Sequence, residues 1–335
     1  MREFTHRLKG MLHAHPRAVG AALILLALLL PWLLPSSYLR GIAVRIVLYM
    51  LFATGLNVTN GYGGQFNIGF AGFMCVGAYT AGILATSGQI PFIPALIAAG
   101  LVAAFFGFLI SLPTSRLSGM YLSIVTMGFS EIIRIIVLNW SGLTGGPLGI
   151  KNIPRPSFFG LEIKTPVGFY YLALALLLIA LFCVYRLIHS RVGRAWISIR
   201  ENPDAASSLG VNIRLYKAIN FMVSAFIAGM GGTFMAFYYR YLATDMFMID
   251  NGHEVLAMVV LGGMGTMTGP MLGSLVINLV TEAFRFASDF RLVAYAVLII
   301  VMMWVRPQGL AGASNSILAS QRADKKKQPE KREKT

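Results

Sequence analysis

The sequence predicts an all-α, polytopic membrane bundle of about ten transmembrane helices, some short or broken, with the N and C termini cytoplasmic. Three observations predict it. Of 335 residues, 56% are apolar and only 12% charged, and the mean hydropathy is +0.69, whereas a soluble domain carries about 25% charged residues. The apolar residues gather into runs of roughly 20, the length that takes an α-helix across hydrocarbon with every backbone N–H and C=O satisfied internally. The 28 Lys and Arg, which give a net charge of +15, cluster between those runs; that is the pattern of basic loops on a membrane protein and not of a nucleic-acid-binding surface.

Taken in order, the runs are 18–34, 42–60, 64–87, 91–112, 119–139, 167–187, 217–240, 252–266, 268–286 and 289–305. The first follows Arg2, Arg7, Lys9 and Arg17 and ends in Pro31-Trp32-Leu33-Leu34-Pro35, which offers no small-residue cleavage site, so it reads as an uncleaved anchor. Ten crossings put both termini on one side, and the basic residues sort accordingly. That side holds the N-terminal cluster, Arg116, the run from Arg186 to Lys217 and the tail from Arg306 to Lys334. The other holds Arg40, Lys151, Arg155, Lys164, Arg240, Arg285 and Arg291. The excess marks the first side as cytoplasmic. The weakest run is 252–266, which carries Glu254 and ends in Gly262-Gly263-Met264-Gly265; a re-entrant hairpin there would place the lysine-rich tail outside, so a short or broken crossing helix is expected. The chain thus divides into a basic N-terminus (1–17), a transmembrane domain (18–306) with a cytoplasmic loop at 188–216, and a basic tail (307–335) whose composition cannot bury a core.

The outer loop from Trp140 to Pro166 is rich in Gly and Pro, which favours turns. The inner loop is organised differently. Glu201-Asn202-Pro203-Asp204 reads as a helix start, with Asn202 as cap, Pro203 at the first position where its missing N–H costs nothing, and Asp204 at the positive end of the dipole. Gly210 suits a left-handed stop. A two-turn helix delimited this way and presented to the cytoplasm is a candidate docking element for a soluble partner.

Within the spans, two Gly-rich stretches stand out. Gly63, Gly64, Gln65, Asn67 and Gly69 in the first half, and Gly262, Gly263 and Gly265 in the second, are expected to interrupt helices at membrane depth. Irregular backbone is tolerated there only inside protein or along a water-filled route, and paired interruptions are a feature of transporters. Gly265, Gly269 and Gly273 recur every fourth residue and predict a smooth helix-packing stripe. Glu131 and Arg134, three apart on one helix face, are placed to pair with each other. Cys75 and Cys183 lie inside apolar runs, the five histidines are scattered, and no P-loop, Gly-x-Ser-x-Gly or His-Glu-x-x-His set occurs; no catalytic residue and no metal site is expected, and an enzyme is disfavoured.

These same segments carry a family likeness. Gly63-Gly64-Gln65-Phe66-Asn67-Ile68-Gly69 with Gly77-Ala78-Tyr79-Thr80-Ala81, the stretch from Arg194 through Glu201-Asn202-Pro203-Asp204-Ala205-Ala206 to Gly210, and Leu261-Gly262-Gly263-Met264-Gly265-Thr266 with Gly269-Pro270 and Gly273 resemble the branched-chain amino acid permeases of bacterial ABC importers. The resemblance covers about residues 40–307 and is closest to the longer, M-type permease, whose loop Gly145-Gly146-Pro147 fits. It implies an inner-membrane complex with a second homologous permease, two cytoplasmic ATPase subunits and a periplasmic solute-binding protein. Leucine, isoleucine, valine or a related solute would be the cargo, and ATP would be used by the partners with no cofactor bound by this chain. It also implies that positions 201–206 and 210 dock on the ATPase. Related permeases carry urea and short amides, and an ion-coupled secondary transporter using Glu131 is the other reading the residues leave open.

Overall fold

The protein is described from a computed structural model covering residues 16–117, 119–158, 161–284, 300, 304 and 309–311. The helices are α1 (Pro16–Leu33), α2 (Ser37–Asn57), α3 (Phe70–Ser87), α4 (Phe92–Thr114), α5 (Gly119–Asn139), α6 (Pro166–Ile188), α7 (Arg191–Glu201), α8 (Pro203–Ser208), α9 (Ile213–Tyr239), α10 (Ile249–Gly262) and α11 (Gly269–Ala283), besides one-turn pieces. Among the described residues, six helices are long and apolar enough to cross a membrane: α2 with its continuation to Tyr62, α3, α4, α5, α6 and α9. At 14 and 15 residues, α10 and α11 fall short of the ~20 residues a crossing helix uses, and the predicted run 289–305 lies outside the described residues.

The bundle is built around α9, which packs against α4, α3 and α2. Its sequence explains the position: Ala225, Ala228, Gly229, Gly231, Gly232 and Ala236 are all buried on it, and small residues let neighbouring backbones close in. A Cβ at Gly77 of α3 would stand 2.3 Å from the Gly229 Cα. Phe52, Phe70, Phe92, Phe221, Phe234 and Phe237 fill the space around this centre. On the outside, α1 leans on α6, where the Tyr170 and Tyr171 hydroxyls donate to the Ala27 and Leu28 carbonyls, both at 2.9 Å.

The two ends of the bundle are distinct. At one end Lys217 Nζ reaches the Ser115 carbonyl (3.2 Å) and Gln65 reaches the Lys217 carbonyl. At the other, β1 (Ile150–Lys151) pairs antiparallel with β4 (Tyr241–Leu242), and Arg240 Nε donates to the Ile153 carbonyl at 3.0 Å. A second two-residue pair joins β2 (Ser157–Phe158) to β3 (Leu161–Glu162). The turn-rich sequence did not suggest these short ladders; the first pins the 140–166 loop to the end of α9, the second closes a hairpin within that loop, and the fold class stays helical.

Candidate functional site

Two candidate regions, the helices of the 188–216 loop and the Gly-rich breaks, meet at one place. The first break follows α2. Val58–Tyr62 winds as a π-helix, with the Gly63 N–H donating to the Val58 carbonyl at 3.0 Å. The chain then runs non-helically to Gly69 before α3 begins at Phe70. This corrects the helix expected over 64–87, which starts six residues late. Gly64 takes φ +62°, a conformation glycine adopts without penalty, and side chains take over the backbone bonds that a helix would have made. Asn60 pairs with the main chain of Asn67 in both directions, at 3.2 and 3.0 Å. Asn220 of α9 holds the Val58 carbonyl (2.9 Å) and the Gln65 amide (2.8 Å). From α5, Ser123 donates to the Phe66 carbonyl and Thr126 accepts from the Ile68 N–H. Gly69 is pressed so close to the Thr126 carbonyl that a Cβ would stand 1.7 Å from it. Asn67 is fully buried, and neither of its side-chain polar atoms has a partner among the described residues.

The second break is Gly263–Thr268, between α10 and α11. Asn57 binds it on both sides: its Nδ2 donates to the Thr266 carbonyl and its Oδ1 accepts from the Gly265 N–H, each at 2.8 Å. Gly61 and Gly265 lie in backbone contact, and a Cβ at Gly61 would come within 2.3 Å of the Gly265 nitrogen. The predicted stripe of Gly265, Gly269 and Gly273 requires correction here. Thr266 Oγ1 accepts from the Gly269 N–H and Pro270 takes the first turn, so α11 starts at Gly269 and Gly265 belongs to the loop. The close contact is made instead by Gly262, Gly269 and Gly273. A Cβ at Gly273 would stand 1.8 Å from the Met258 carbonyl of α10, and one at Gly262 would stand 1.9 Å from the Gly269 carbonyl. Gly263, at φ +112°, ends α10. Leu310 and Ala311 cover that end, donating to the Leu261 and Gly262 carbonyls.

The loop helices are local sequence made visible. Asn202 accepts from the N–H groups of Asp204 and Ala205, both at 3.0 Å, Pro203 opens α8, and Gly210 closes it at φ +82°. Glu201, Pro203, Asp204 and Ala205 are exposed, and Ala206 is buried. The preceding helix α7 was not anticipated, although Trp196 and Ile199 stand at a helical spacing. It lays Gly193, Ala195, Trp196 and Ile199 inward, and the Trp196 indole donates to the Tyr216 carbonyl at 2.9 Å.

At the end of α7 stands Arg200, which sequence reasoning read only as one more basic residue. Its Nη1 donates to the Gly61 carbonyl at 2.8 Å, and its Nη2 pairs with Glu201 at 2.9 Å. A Cβ at Gly64 would meet the Arg200 side chain at 2.5 Å, and one at Gly265 would meet it at 2.9 Å. One guanidinium therefore touches both breaks and sits two residues before Asn202, the cap of α8. Leu209, just past α8, is 83% exposed. Elsewhere, Arg134 Nε donates to both Glu131 carboxylate oxygens, at 3.0 and 3.1 Å. Glu254 accepts from Tyr49 and Glu282 from Arg45. No group of His, Cys, Asp and Glu able to hold a metal occurs among the described residues.

Residues 38–305 match the family described as branched-chain amino acid transport system / permease component. The chain is 36% identical over 312 residues to the high-affinity branched-chain amino acid transport system permease protein LivM of Escherichia coli K12, an alignment covering 86% of this chain and 73% of that protein. It is 24% identical to a probable branched-chain amino acid transport permease LivM of Methanocaldococcus jannaschii, over 78% of this chain and 90% of that one. Against the E. coli K12 permease LivH it is 26% identical, over 79% of this chain and 91% of that protein. No solved structure matches.

Proposed function

Because the chain belongs to the branched-chain amino acid transport permease family, we propose that it is the M-type permease subunit of an ATP-binding cassette importer in a bacterial inner membrane. It moves leucine, isoleucine, valine or a related solute together with a second homologous permease. A periplasmic binding protein delivers the solute, and two separate cytoplasmic ATPase subunits use the ATP, so this chain carries no nucleotide or other cofactor. Its termini and the 188–216 loop are cytoplasmic. The loop meets the ATPase through Glu201, Asn202, Pro203, Asp204, Ala205, Ala206 and Gly210. The return of Leu310 and Ala311 to the end of α10, where Arg200 also stands, supports placing the tail on the same side as that loop.

The observation that carries the reading is the Arg200 contact. Free energy released when ATPase subunits close must reach the membrane helices through an element both partners share. An exposed two-turn helix joined through one guanidinium to both helix breaks is such an element. The breaks line the solute route and move with it, and the buried, unpartnered Asn67 amide is the kind of group that a route opening in another state would expose. The bidentate hold of Arg134 on Glu131 favours this reading over ion-coupled transport, since it leaves that carboxylate committed. The test is reconstitution of all the subunits in vesicles with a solute panel. ATP-dependent uptake of branched-chain amino acids in preference to urea is expected, and uptake by this chain alone under an ion gradient would refute the proposal.

A further inference from the structure

At the end of the bundle that carries Lys217, a groove of about 510 Å³ runs between the last turns of α4 and the first turns of α9. Part of its lining is apolar: Phe108, Leu112 and Leu215, with Leu112 56% and Leu215 53% exposed. Leu101, Phe105, Phe108, Leu109 and Leu112 are all exposed along one face of α4, so the groove opens onto a continuous apolar stripe that climbs the helix at its i, i+4, i+7 spacing. Its rim is cationic. Arg116, just past α4, and Arg214, in the first turn of α9, both line it, and neither guanidinium takes part in a hydrogen bond or ion pair among the described residues. Lys217 stands beside them, its ammonium engaged by the Ser115 and Leu117 carbonyls.

Phe108 lies two turns of helix deeper than Arg116, so polarity changes along the groove in the order of an amphiphile: hydrocarbon inward, anion at the boundary. We propose that this groove is a binding site for an anionic phospholipid, its phosphate held between the Arg116 and Arg214 guanidiniums and an acyl chain laid along Leu112, Phe108 and Leu215. Guanidinium forks match phosphate oxygens, and basic pockets between helices at a membrane boundary take anionic headgroups. A zwitterionic lipid would satisfy the apolar wall but bring its own ammonium beside the two guanidiniums, cancelling the charge its phosphate offers them. A soluble anion would satisfy the cations and leave the wall bare.

Native mass spectrometry of the detergent-solubilised full chain tests this, with phosphatidylglycerol and phosphatidylcholine of identical acyl chains as probes. Retained phosphatidylglycerol in preference to phosphatidylcholine is expected. The Arg116→Gln/Arg214→Gln variant should weaken it about 10- to 30-fold, since each basic residue near a membrane surface is worth about fivefold. Leu112→Trp, which keeps both charges and fills the groove, should weaken it as well. Equal retention of the two lipids, displacement by millimolar inorganic phosphate, or unchanged binding in Leu112→Trp would overturn the proposal. So would a double variant that keeps its lipid but loses a soluble partner, which would assign the arginines to a protein contact. None of these outcomes depends on which solute the chain carries.

Discussion

Arg200 joins pieces of chain that are far apart in sequence, and its role is separable by substitution. Arg200→Met keeps an aliphatic stem against Gly64 but removes the bond to the Gly61 carbonyl. A hydrogen bond from a charged group is worth about 1.5–3 kcal/mol. Uptake and solute-stimulated ATP hydrolysis by the reconstituted importer should therefore fall by roughly tenfold or more, while copurification of the ATPase, which the proposal assigns to α8, persists. Loss of the ATPase as well would make Arg200 a docking residue and not a relay. Gly210 gives a second single-residue prediction. Its φ of +82° has open space around it, so a substitution there acts through the backbone alone. Gly210→Val should cost about 1–2 kcal/mol and impair ATPase attachment, whereas Gly210→Asn, which tolerates the left-handed region, should retain most of it. Residues like these differ in how legible they are. The cap Asn202, the opening Pro203 and the stop at Gly210 act within a few residues of one another, so the sequence displays them. Arg200, Asn57 and Asn220 act on main chain some 140 to 210 positions away, and no local pattern reports that.

Among the elements, the hairpin of α10 and α11 shows where spacing misleads. A fourfold glycine spacing suggested one stripe, but the Thr266 cap and Pro270 start α11 after Gly265, and the contact surface comes from Gly262, Gly269 and Gly273. Gly273→Leu should therefore separate the two helices and abolish assembly, because the added carbon would stand 1.8 Å from a main-chain carbonyl. Gly128→Leu on α5, where nothing lies within 4 Å, is the matched control and should be expressed and assembled normally. Size-exclusion profiles of the two variants in detergent check both statements. Similar reasoning applies to Asn57, whose side chain serves a donor and an acceptor of the second break. Asn57→Ala leaves a main-chain N–H and a carbonyl without those partners, and the cost for these part-buried groups, about 1 kcal/mol each, should lower the temperature of thermal inactivation. The position of both breaks was readable from glycine content. Their form, a π-helical turn followed by an irregular run in one and a cross-braced loop in the other, depends on Asn220, Asn57 and Thr126 arriving from other helices.

For the molecule as a whole, hydropathy gave α4, α5 and α6 within two residues of their starts and ends, because a crossing helix must be apolar along its length, while the starts of α2, α3 and α9 fall four to six residues from those expected. It placed α10 and α11 within four residues at each end but gave α11 as a full crossing run, whereas short helices braced by neighbours need no such length. The central claim is that the exposed end of α7 and α8 is where ATPase motion enters the permease. It is tested most directly by replacing Leu209, the exposed side chain just past α8, with a photo-crosslinking residue in the assembled importer. Irradiation is predicted to join this chain to an ATP-binding subunit, with a yield that changes when nucleotide is added. Adducts with lipid or with this chain alone, in a complex that still takes up solute, would contradict the account.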